Sequence, residues 1–308
     1  MRHEGERIAQ RRAKFPDRPW GSAKVGAALP RVAADFLCRQ RLAVIGAPDA
    51  RGAVWAGPLA GEPGFVTAPD DRTVVARREP VPGDPLALLF AEEHPIGVLA
   101  IEPASRRRMR VNGLARQEGD RLVIRTEQVY ANCPKYIQAR GAEAAPKAAA
   151  PRPAAESTAL SPAQRAWIAG ADTFFVATHA AGLGADASHR GGRPGFVAVA
   201  DERRLSWPDY AGNSMYMTLG NLELDPRAGL LFLDWERGAT LQVTGRASVD
   251  WNPERAAAEP GAQRVVDFEV EHVVQIDGAV PLRWGPPEYS TFNPDPYRGR
   301  HREQEVSA

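Results

Sequence analysis

The feature of this sequence that most constrains its fold is an internal repeat. The stretch GFVTAPDDRTVVAR, which starts at Gly64, aligns with GFVAVADERRLSWP, which starts at Gly195, at an offset of 131 residues. The stretch IGVLAIEPASRRRMRVNGLA from Ile96 aligns with AGLLFLDWERGATLQVTGRA from Ala228 at an offset of 132 residues. A one-residue difference between the offsets fits a change in loop length. The 308-residue chain is therefore predicted to hold two similar domains.

The two repeats are separated by a segment with the composition of a linker. Residues 139–163 are rich in alanine and proline and show no apolar periodicity, which is typical of a semi-extended connection. The predicted organisation is an N-terminal domain over residues 1–138, this linker, and a C-terminal domain over residues 164–308.

Short apolar or alternating segments bounded by turn residues predict consecutive β-strands in both halves. The first half offers LAVIGA, TVVAR, IGVLAIE and RMRVNGLA, and the second offers FFVATH, GFVAVA, RLSWP, AGLLFLD, TLQVTGRASV and RVVDFEVEHVVQI. Between RLSWP and AGLLFLD, a three-to-four spacing of Met215, Leu219 and Leu222 predicts a short helix that Asn213 can cap. About six antiparallel strands and a small helix close best as a barrel. We predict a mainly β protein with two tandem barrels that pack as a pseudo-dimer around a shared ligand groove.

Composition excludes several classes of function. The 39 Lys and Arg residues balance 38 Asp and Glu residues, so the overall field does not favour nucleic acid. No apolar run approaches the roughly 18 residues of a membrane span, and the N-terminus lacks a signal peptide's apolar middle. We expect a cytoplasmic protein without membrane or nucleic-acid partners. Cys38 and Cys133 lie far apart with no CxxC pair, which supports neither a disulfide framework nor zinc. Cys133 is read as a structural thiol in preference to a reactive one.

The turn at Asn213 and Ser214 is a candidate anion site, because it joins a strand to a predicted helix with free backbone N–H groups. Plain N-capping is the alternative interpretation. His189, Arg190 and Arg193 precede a strand predicted to lie beside RLSWP, so one or both guanidinium groups could reach a phosphate at the turn. Gly191 and Gly192 allow a close backbone approach.

Competing motifs in the same region are weak. Ser188 and His189 are neighbours in an extended chain, so their side chains point to opposite faces and do not form a nucleophile and base pair. Asp186 with His189 lacks further ligands for a metal. GLGAD at Gly182 lacks the third glycine of a dinucleotide fingerprint.

Aromatic and basic side chains add to this region. Trp207, Pro208 and Tyr210 offer flat apolar surface beside the predicted anion site, with ordinary core packing as the alternative. In SRRRMRV, strand alternation places three arginines on one face, and a solvated face and a functional face remain equally open. These arginines are Arg106, Arg108 and Arg110.

The residues of the second half resemble a known family. The block GRPGFVAVADERRLSWPDYAGNSMYMTLGNLELDPRAGLLFLDWERGATLQVTGRA is similar to the flavin-binding core of the pyridoxamine 5'-phosphate oxidase-like family, whose fold is an FMN-binding split β-barrel. The stretches HEGERIAQRRA, SRRRMRVNG, NCPKYIQ, SHRGGRPGFV and PLRWGPPEYSTFNP resemble parts of a tandem, roughly 300-residue bacterial branch.

The resemblance implies FMN at the interface of a homodimer or pseudo-dimer. Arg193 matches an arginine that opens a strand and binds the phosphate, and Asn213 with Ser214 match the phosphate-binding turn. Other positions match the family's flavin-lining strand end, the strand facing the isoalloxazine edge, and a C-terminal Trp/Arg region near the ring. These positions are, in that order, Ser206, Trp207, Pro208, Asp209 and Tyr210; Thr240 and Gln242; and Arg283 with Trp284.

The chain also departs from the family pattern. The oxidase has an Arg-Lys pair where this chain has Asn213-Ser214, so the phosphate must rely on Arg190, Arg193 or backbone donors. The first half lacks the turn, which predicts one flavin site per chain, made mainly by the second half and roofed by the first. The resulting hypothesis is an FMN-dependent oxidoreductase with an unidentified small-molecule substrate and electron donor. A non-catalytic module for flavin or haem, a deazaflavin protein and a purely structural barrel remain as alternatives.

Overall fold

The structure is a computed structural model that describes residues 3–14, 25–144, 151–152 and 154–295. Parts of the two predicted domains and of the predicted linker lie outside the described residues. They are residues 1–2, 15–24, 145–150, 153 and 296–308.

The described part of the first half contains seven strands and two α-helices. They are α1 (Glu4–Arg12), α2 (Arg31–Cys38), β1 (Leu42–Pro48), β2 (Val54–Ala60), β3 (Val66–Thr67), β4 (Thr73–Arg77), β5 (His94–Glu102), β6 (Arg107–Glu118) and β7 (Arg121–Ala131). The strands form one antiparallel sheet in the order β2-β1-β5-β6-β7-β4-β3. Its inner face holds a core of buried aliphatic and aromatic side chains that includes Phe36, Ile45, Phe90 and Ile96.

The second half repeats this arrangement. Its elements, with those that connect the halves, are β8 (Ala142–Ala144), β9 (Ala155–Ser157), α3 (Pro162–Gly170), β10 (Thr173–Ala180), β11 (Gly184–Gly191), β12 (Ala198–Val199), β13 (Arg204–Tyr210), α4 (Met217–Leu224), β14 (Arg227–Leu233), β15 (Thr240–Asp250), α5 (Pro253–Ala258), β16 (Ala262–Ile276) and β17 (Leu282–Trp284). The sheet order is β11-β10-β14-β15-β16-β13-β12, which is the order of the first half. The protein is thus mainly β and consists of two tandem split β-barrels, as the repeat predicted.

The repeat extends to local irregularities. The pairing of β6 with β7 shifts register between Asn112 and Gly113, and the pairing of β15 with β16 shifts between Thr244 and Gly245. A Cβ atom on either glycine would collide with a backbone carbonyl oxygen of the adjacent strand. Both bulges therefore require glycine, because no side-chain adjustment could relieve a clash with backbone.

The two barrels pack face to face through β1, β2 and β5 of one half and β10, β11 and β14 of the other. A separate apolar cluster fills this interface and includes Val44, Leu99, Phe175 and Leu231. The halves thus form the predicted intrachain pseudo-dimer.

We expect Gly229→Ala to destabilise the protein, because at Gly229 the backbones of the two halves are in direct contact. A Cβ atom at Gly229 would lie 2.7 Å from the Cα of Trp55 and 2.9 Å from the N of Ala56, both in the opposite half. Overpacking of this kind costs about 1–3 kcal/mol. Urea unfolding measures the change, and Gly170→Ala is the matched control, since nothing lies within 4 Å of a Cβ atom there. Equal stability of the two variants would contradict the expectation.

The predicted helix is present but begins later than expected. α4 begins at Met217, and its N-cap residue is Tyr216, which makes no side-chain capping bond. Asn213 is therefore not the helix cap. Its Oδ1 instead accepts the N–H of Met215 at 3.2 Å, which closes a turn before the helix.

Two further expectations need adjustment. The segment GFVAVA contributes only the two-residue strand β12, which does pair with β13. The described parts of the predicted linker include two paired strands: β8 pairs with β17, and β9 pairs with β16. Helix α3 begins inside it, where Ser161 and Gln164 form a reciprocal capping box behind Pro162.

Among the described residues, no helix has both the length and the apolar character needed to cross a bilayer.

Candidate functional site

A cleft lies where the two barrels meet. Strand β6 and the chain after β7 supply one wall, while β11, the end of β13 and the turn before α4 supply the other. The cleft has an empty volume of about 870 Å³, counting its open mouth. The first half contributes Arg108, Arg110, Cys133, Lys135 and Tyr136, among others, to this lining.

A buried ion pair joins the two halves at the base of the cleft. Arg110 donates from Nη1 to both carboxylate oxygens of Asp186, at 2.9 and 3.2 Å, and from Nη2 to the Oγ of Ser188. Asp186 is 1% exposed and also accepts a hydrogen bond from Thr218 at 3.0 Å. Burial by itself would lower the pKa of Arg110, but the carboxylate of Asp186 and the hydroxyl of Tyr130 outweigh it and raise that pKa. Arg110 is thereby held charged.

His189 is held in one neutral form by Arg108. The Nη1 of Arg108 lies 2.8 Å from the Nδ1 of His189, and a guanidinium can only donate. Nδ1 therefore accepts, and the ring proton is on Nε2. Burial, followed by the positive charges of Arg108 and Arg190, lowers the pKa of His189 well below its usual range. The buried Nε2 has no hydrogen-bond partner among the described residues.

Arg190 adds a second guanidinium to the cleft. Its Nη1 donates to the Oγ of Ser188 at 2.8 Å, and its Nη2 lies 3.9 Å from Asp209. Burial lowers the pKa of Arg190, and Asp209 opposes that effect. The Nε atoms of Arg108, Arg110 and Arg190 are buried without partners among the described residues. Buried donors of this kind are rare unless a ligand or water completes them.

The turn before α4 has an unusual backbone. Ser214 and Tyr216 both have φ near +58° (58° and 57°), a left-handed conformation that costs energy for residues other than glycine. Helix α1 supports this turn from behind, because Gln10 donates from Nε2 to the carbonyl of Ser214 at 3.3 Å. The turn is thus held by its neighbours in a shape that it would not adopt alone.

Aromatic side chains from both halves also line the cleft. The rings of Tyr136 and Tyr210 lie 5.1 Å apart, and the hydroxyl of Tyr136 donates to the carbonyl of Ala211 at 3.0 Å. Tyr136 comes from the first half and Tyr210 from the second, so this flat surface also requires both barrels.

The structure brings half of the predicted site residues into this cleft. Those that line it are His189, Arg190, Pro208, Asp209, Tyr210, Asn213 and Ser214. The others, Arg193, Ser206, Trp207, Thr240, Gln242, Arg283 and Trp284, do not line it.

The residues outside the cleft have identifiable local roles. Arg193 is exposed in the turn after β11, with its guanidinium 5.1 Å from the ring centre of Tyr289. Trp207 is 2% exposed and packs edge-on against Phe174 in the barrel core. Ser206 lies on the same strand, paired with Asp267.

Arg283 and Trp284 lie on β17 and not at the cleft. Arg283 donates to the carbonyls of Val280 and Leu282. Trp284 packs edge-on against Trp235, with ring centres 4.9 Å apart.

Thr240 and Gln242 face the other side of the pseudo-dimer. Both are buried, and Gln242 donates to the carbonyl of Ala56 at 3.0 Å and to Asp84 at 3.3 Å, both in the first half. The repeat equates them with Arg108 and Arg110 at an offset of 132. The strand of one half therefore lines the site of the other half, so Arg108 and Arg110 are the residues that reach the cleft.

The equivalent position in the first half lacks these polar groups. The register of β1 with β2, compared with that of β10 with β11, equates Gly57, Pro58 and Leu59 with Ser188, His189 and Arg190. Asp84 and Leu86 of the loop before β5 lie against Gly57 there, and burial raises the pKa of Asp84. The charged cleft thus occurs at one of the two related positions.

Sequence reasoning did not select Arg108, Arg110 or Tyr136 for the site. A signal was present for the two arginines, since Arg108 and Arg110 alternate with the buried Met109 and Val111. Among the described residues, no group of three or more His, Cys, Asp or Glu side chains could hold a metal ion.

Comparison with known proteins agrees with the motifs. Residues 160–277 match the family model described as pyridoxamine 5'-phosphate oxidase. No curated protein matches this chain. HupZ of Group A Streptococcus is a similar solved structure, with 17% identity over 36% of this chain and 90% of its own, and a TM-score of 0.30.

Two other solved structures are similar. One is a putative pyridoxamine 5'-phosphate oxidase from Lactobacillus delbrueckii, with 18% identity over 38% of this chain and 94% of its own, and a TM-score of 0.31. The other is a FAD-binding protein from Mesorhizobium loti, with 14% identity over 41% of this chain and 99% of its own, and a TM-score of 0.28. The resemblance inferred from the motifs is confirmed over residues 160–277 by the match to the pyridoxamine 5'-phosphate oxidase family model.

Proposed function

We propose that the cleft binds a flavin phosphate, with FMN as the cofactor, and that the protein is an FMN-dependent oxidoreductase. One observation carries this proposal. Arg108, Arg190 and His189 each hold a buried donor without a partner among the described residues, and they line one cleft together with Tyr136 and Tyr210.

The donor set suits this ligand. Guanidinium N–H groups and a neutral imidazole N–H can satisfy a phosphate dianion, which offers only acceptors. Flat aromatic side chains suit a planar ring.

Each part of the chain has a role in this proposal. Arg190, Arg108 and the Nε2 of His189 would hold the phosphate, and the turn at Asn213 and Ser214 would close around it. The two barrels would keep water from the ring and fix its orientation. The bound flavin supplies two-electron redox chemistry, so the chain needs to bind and orient it and not to react itself.

The first test is the absorption spectrum and mass of whatever co-purifies with the protein. We expect a flavin spectrum, or one that develops after incubation with FMN and persists through gel filtration. A colourless protein that retains no FMN would overturn the proposal.

Redox turnover separates the oxidoreductase from a module that only stores flavin or haem. Flavin-loaded protein is mixed with NADH, NADPH or a partner reductase, and the flavin band is followed. Bleaching by a donor followed by recovery with an acceptor supports the enzyme. A flavin that binds but is reduced by none of these donors favours the storage module.

Phosphate binding should weaken above about pH 9. Burial, together with the positive charges of Arg110 and Arg190, lowers the pKa of Arg108 to about 9. A phosphate monoester is a dianion well above pH 6, so its attraction depends on Arg108 keeping its proton. As the pH rises through 9, the free protein loses that proton, and the affinity should fall by up to about tenfold per pH unit.

Fluorescence titration with FMN between pH 7 and 10.5 measures this effect. Arg108→Met is the control: it should bind more weakly at pH 7 and show a smaller loss of affinity above pH 9. Identical pH profiles for the two proteins would show that Arg108 does not contact the phosphate.

A further inference from the structure

A second recess opens beside the cleft, between the end of α1 and the start of β16. It is lined by Arg12, Lys14, Trp251 and Arg264, and it shares the wall formed by Ser214 and Tyr216 with the cleft. We call this space the Arg264 recess. The two spaces are thus neighbours on either side of the same turn.

Arg264 is a buried cation that the protein satisfies poorly. Arg264 is 4% exposed, and its guanidinium lies 5.0 Å from the ring centre of Tyr216 and 4.9 Å from that of Trp251. Its Nη2 donates to Gln263 at 2.9 Å, but the buried Nε and Nη1 have no hydrogen bond among the described residues. A buried charge without its full set of hydrogen bonds is costly, and Arg264 lines the recess, where an anion would supply a counter-charge.

One carboxylate links this arginine to the cleft. Asp209 lies 3.4 Å from the Nη1 of Arg264 through one oxygen and 3.9 Å from the Nη2 of Arg190 through the other. The two guanidiniums therefore lie on either side of a single side chain. Asp209 neutralises one of these two charges and leaves an excess positive charge shared between the cleft and the recess.

The rim of the recess is also basic. Lys14 and Arg12 are exposed, and Arg12 lies 3.5 Å from Glu223. Four cations, Arg190, Arg264, Arg12 and Lys14, thus face two acidic groups, Asp209 and Glu223. The local field favours an anion next to the one that the cleft is proposed to hold.

We propose that the Arg264 recess is a second anion subsite, which binds a second phosphate group adjacent to the phosphate at Arg190. This proposal rests on the proposed function for the position of the first phosphate. The second phosphate could come from the diphosphate of a dinucleotide flavin or from a separate phosphorylated molecule. The chemistry is the same in both cases, and the experiment distinguishes the two sources.

The experiment compares ligands with one and two phosphates on the flavin-free protein by isothermal titration calorimetry. The ligands are inorganic phosphate, pyrophosphate, FMN and FAD. Arg264→Gln should weaken pyrophosphate and FAD by about tenfold or more, the usual effect of losing a charge-assisted hydrogen bond. The same change should alter FMN binding by less than about threefold.

A second titration identifies the source of the second phosphate. Inorganic phosphate is added to protein already saturated with FMN. A second equivalent that Arg264→Gln abolishes indicates a separate phosphorylated molecule. A preference for FAD over FMN that the same variant abolishes indicates a dinucleotide. The subsite proposal would be overturned if Arg264→Gln weakened FMN and FAD equally. It would also be overturned if this variant weakened the binding of neither pyrophosphate, FAD nor the second equivalent of phosphate.

Lys14→Gln with Arg12→Gln is the companion variant, because both side chains are exposed at the rim of the recess. It should weaken pyrophosphate by a few-fold and reduce the salt dependence of its binding. This keeps the proposal testable if Arg264→Gln does not fold. If FMN fails to bind while pyrophosphate still depends on these residues, the proposed function fails and the subsite stands; the reverse pattern rejects the subsite alone.

Discussion

Replacing Arg190 with glutamine is expected to weaken FMN binding by about 10- to 150-fold. Arg190 lies in the cleft, with Nη1 held by Ser188 and a buried Nε that has no partner among the described residues. Hydrogen bonds to charged groups contribute about 1.5–3 kcal/mol, and 1.4 kcal/mol corresponds to a factor of ten in affinity. Glutamine keeps part of the side-chain length and removes the charge. Quenching of FMN fluorescence on titration measures the dissociation constant.

Arg193→Gln is the matched control, and it tests the sequence motif against the geometry. The family pattern selects Arg193 as the phosphate-binding arginine, whereas the structure has it exposed against Tyr289 and outside the cleft. We expect Arg193→Gln to bind FMN within about threefold of the unaltered protein. A large loss for Arg193→Gln with little change for Arg190→Gln would move the phosphate to the turn after β11.

Much of the fold could be predicted from the sequence, because the repeat and the alternating strands are local signals that survive in both halves. β11 was missed because GADASHRG contains no apolar alternation, although six of its eight residues are buried. Its burial comes from packing against the other barrel, and small or polar residues fit that close contact. A pattern read along one chain segment does not show which partner will cover it.

The candidate site was predictable only in part, and the reason is the pseudo-symmetry. The motif positions around His189, Asp209 and Ser214 belong to one half, and they are indeed neighbours in the cleft. The strand that covers them comes from the other half. The strands are exchanged between the two sites: Arg108 and Arg110 reach the cleft, while Gln242 contacts Ala56 in the first half. The prediction that Thr240 and Gln242 share a site with the turn did not include this exchange. Only the relative placement of the barrels carries that information.

The largest predicted loss of stability concerns the buried ion pair between the two halves. Asp186→Asn should lower the free energy of unfolding by about 3–5 kcal/mol, the usual cost of leaving one member of a buried ion pair without its partner. Asp186 is 1% exposed and Arg110 is 11% exposed, and their pair ties β6 of the first half to β11 of the second. Asparagine has nearly the same shape, so the loss would be electrostatic. Urea unfolding followed by circular dichroism measures it.

Two comparisons isolate the contribution of burial. Glu288→Gln removes the carboxylate that pairs with Arg106 at 2.8 Å, but Glu288 is 79% exposed, so it should cost no more than about 1 kcal/mol. Adding Arg110→Met to Asp186→Asn removes the unpaired buried cation, and the double variant should therefore recover part of the lost stability. If Asp186→Asn lowers the free energy of unfolding no more than Glu288→Gln does, water must reach Arg110. The ion pair at the base of the cleft would then not be buried between the barrels.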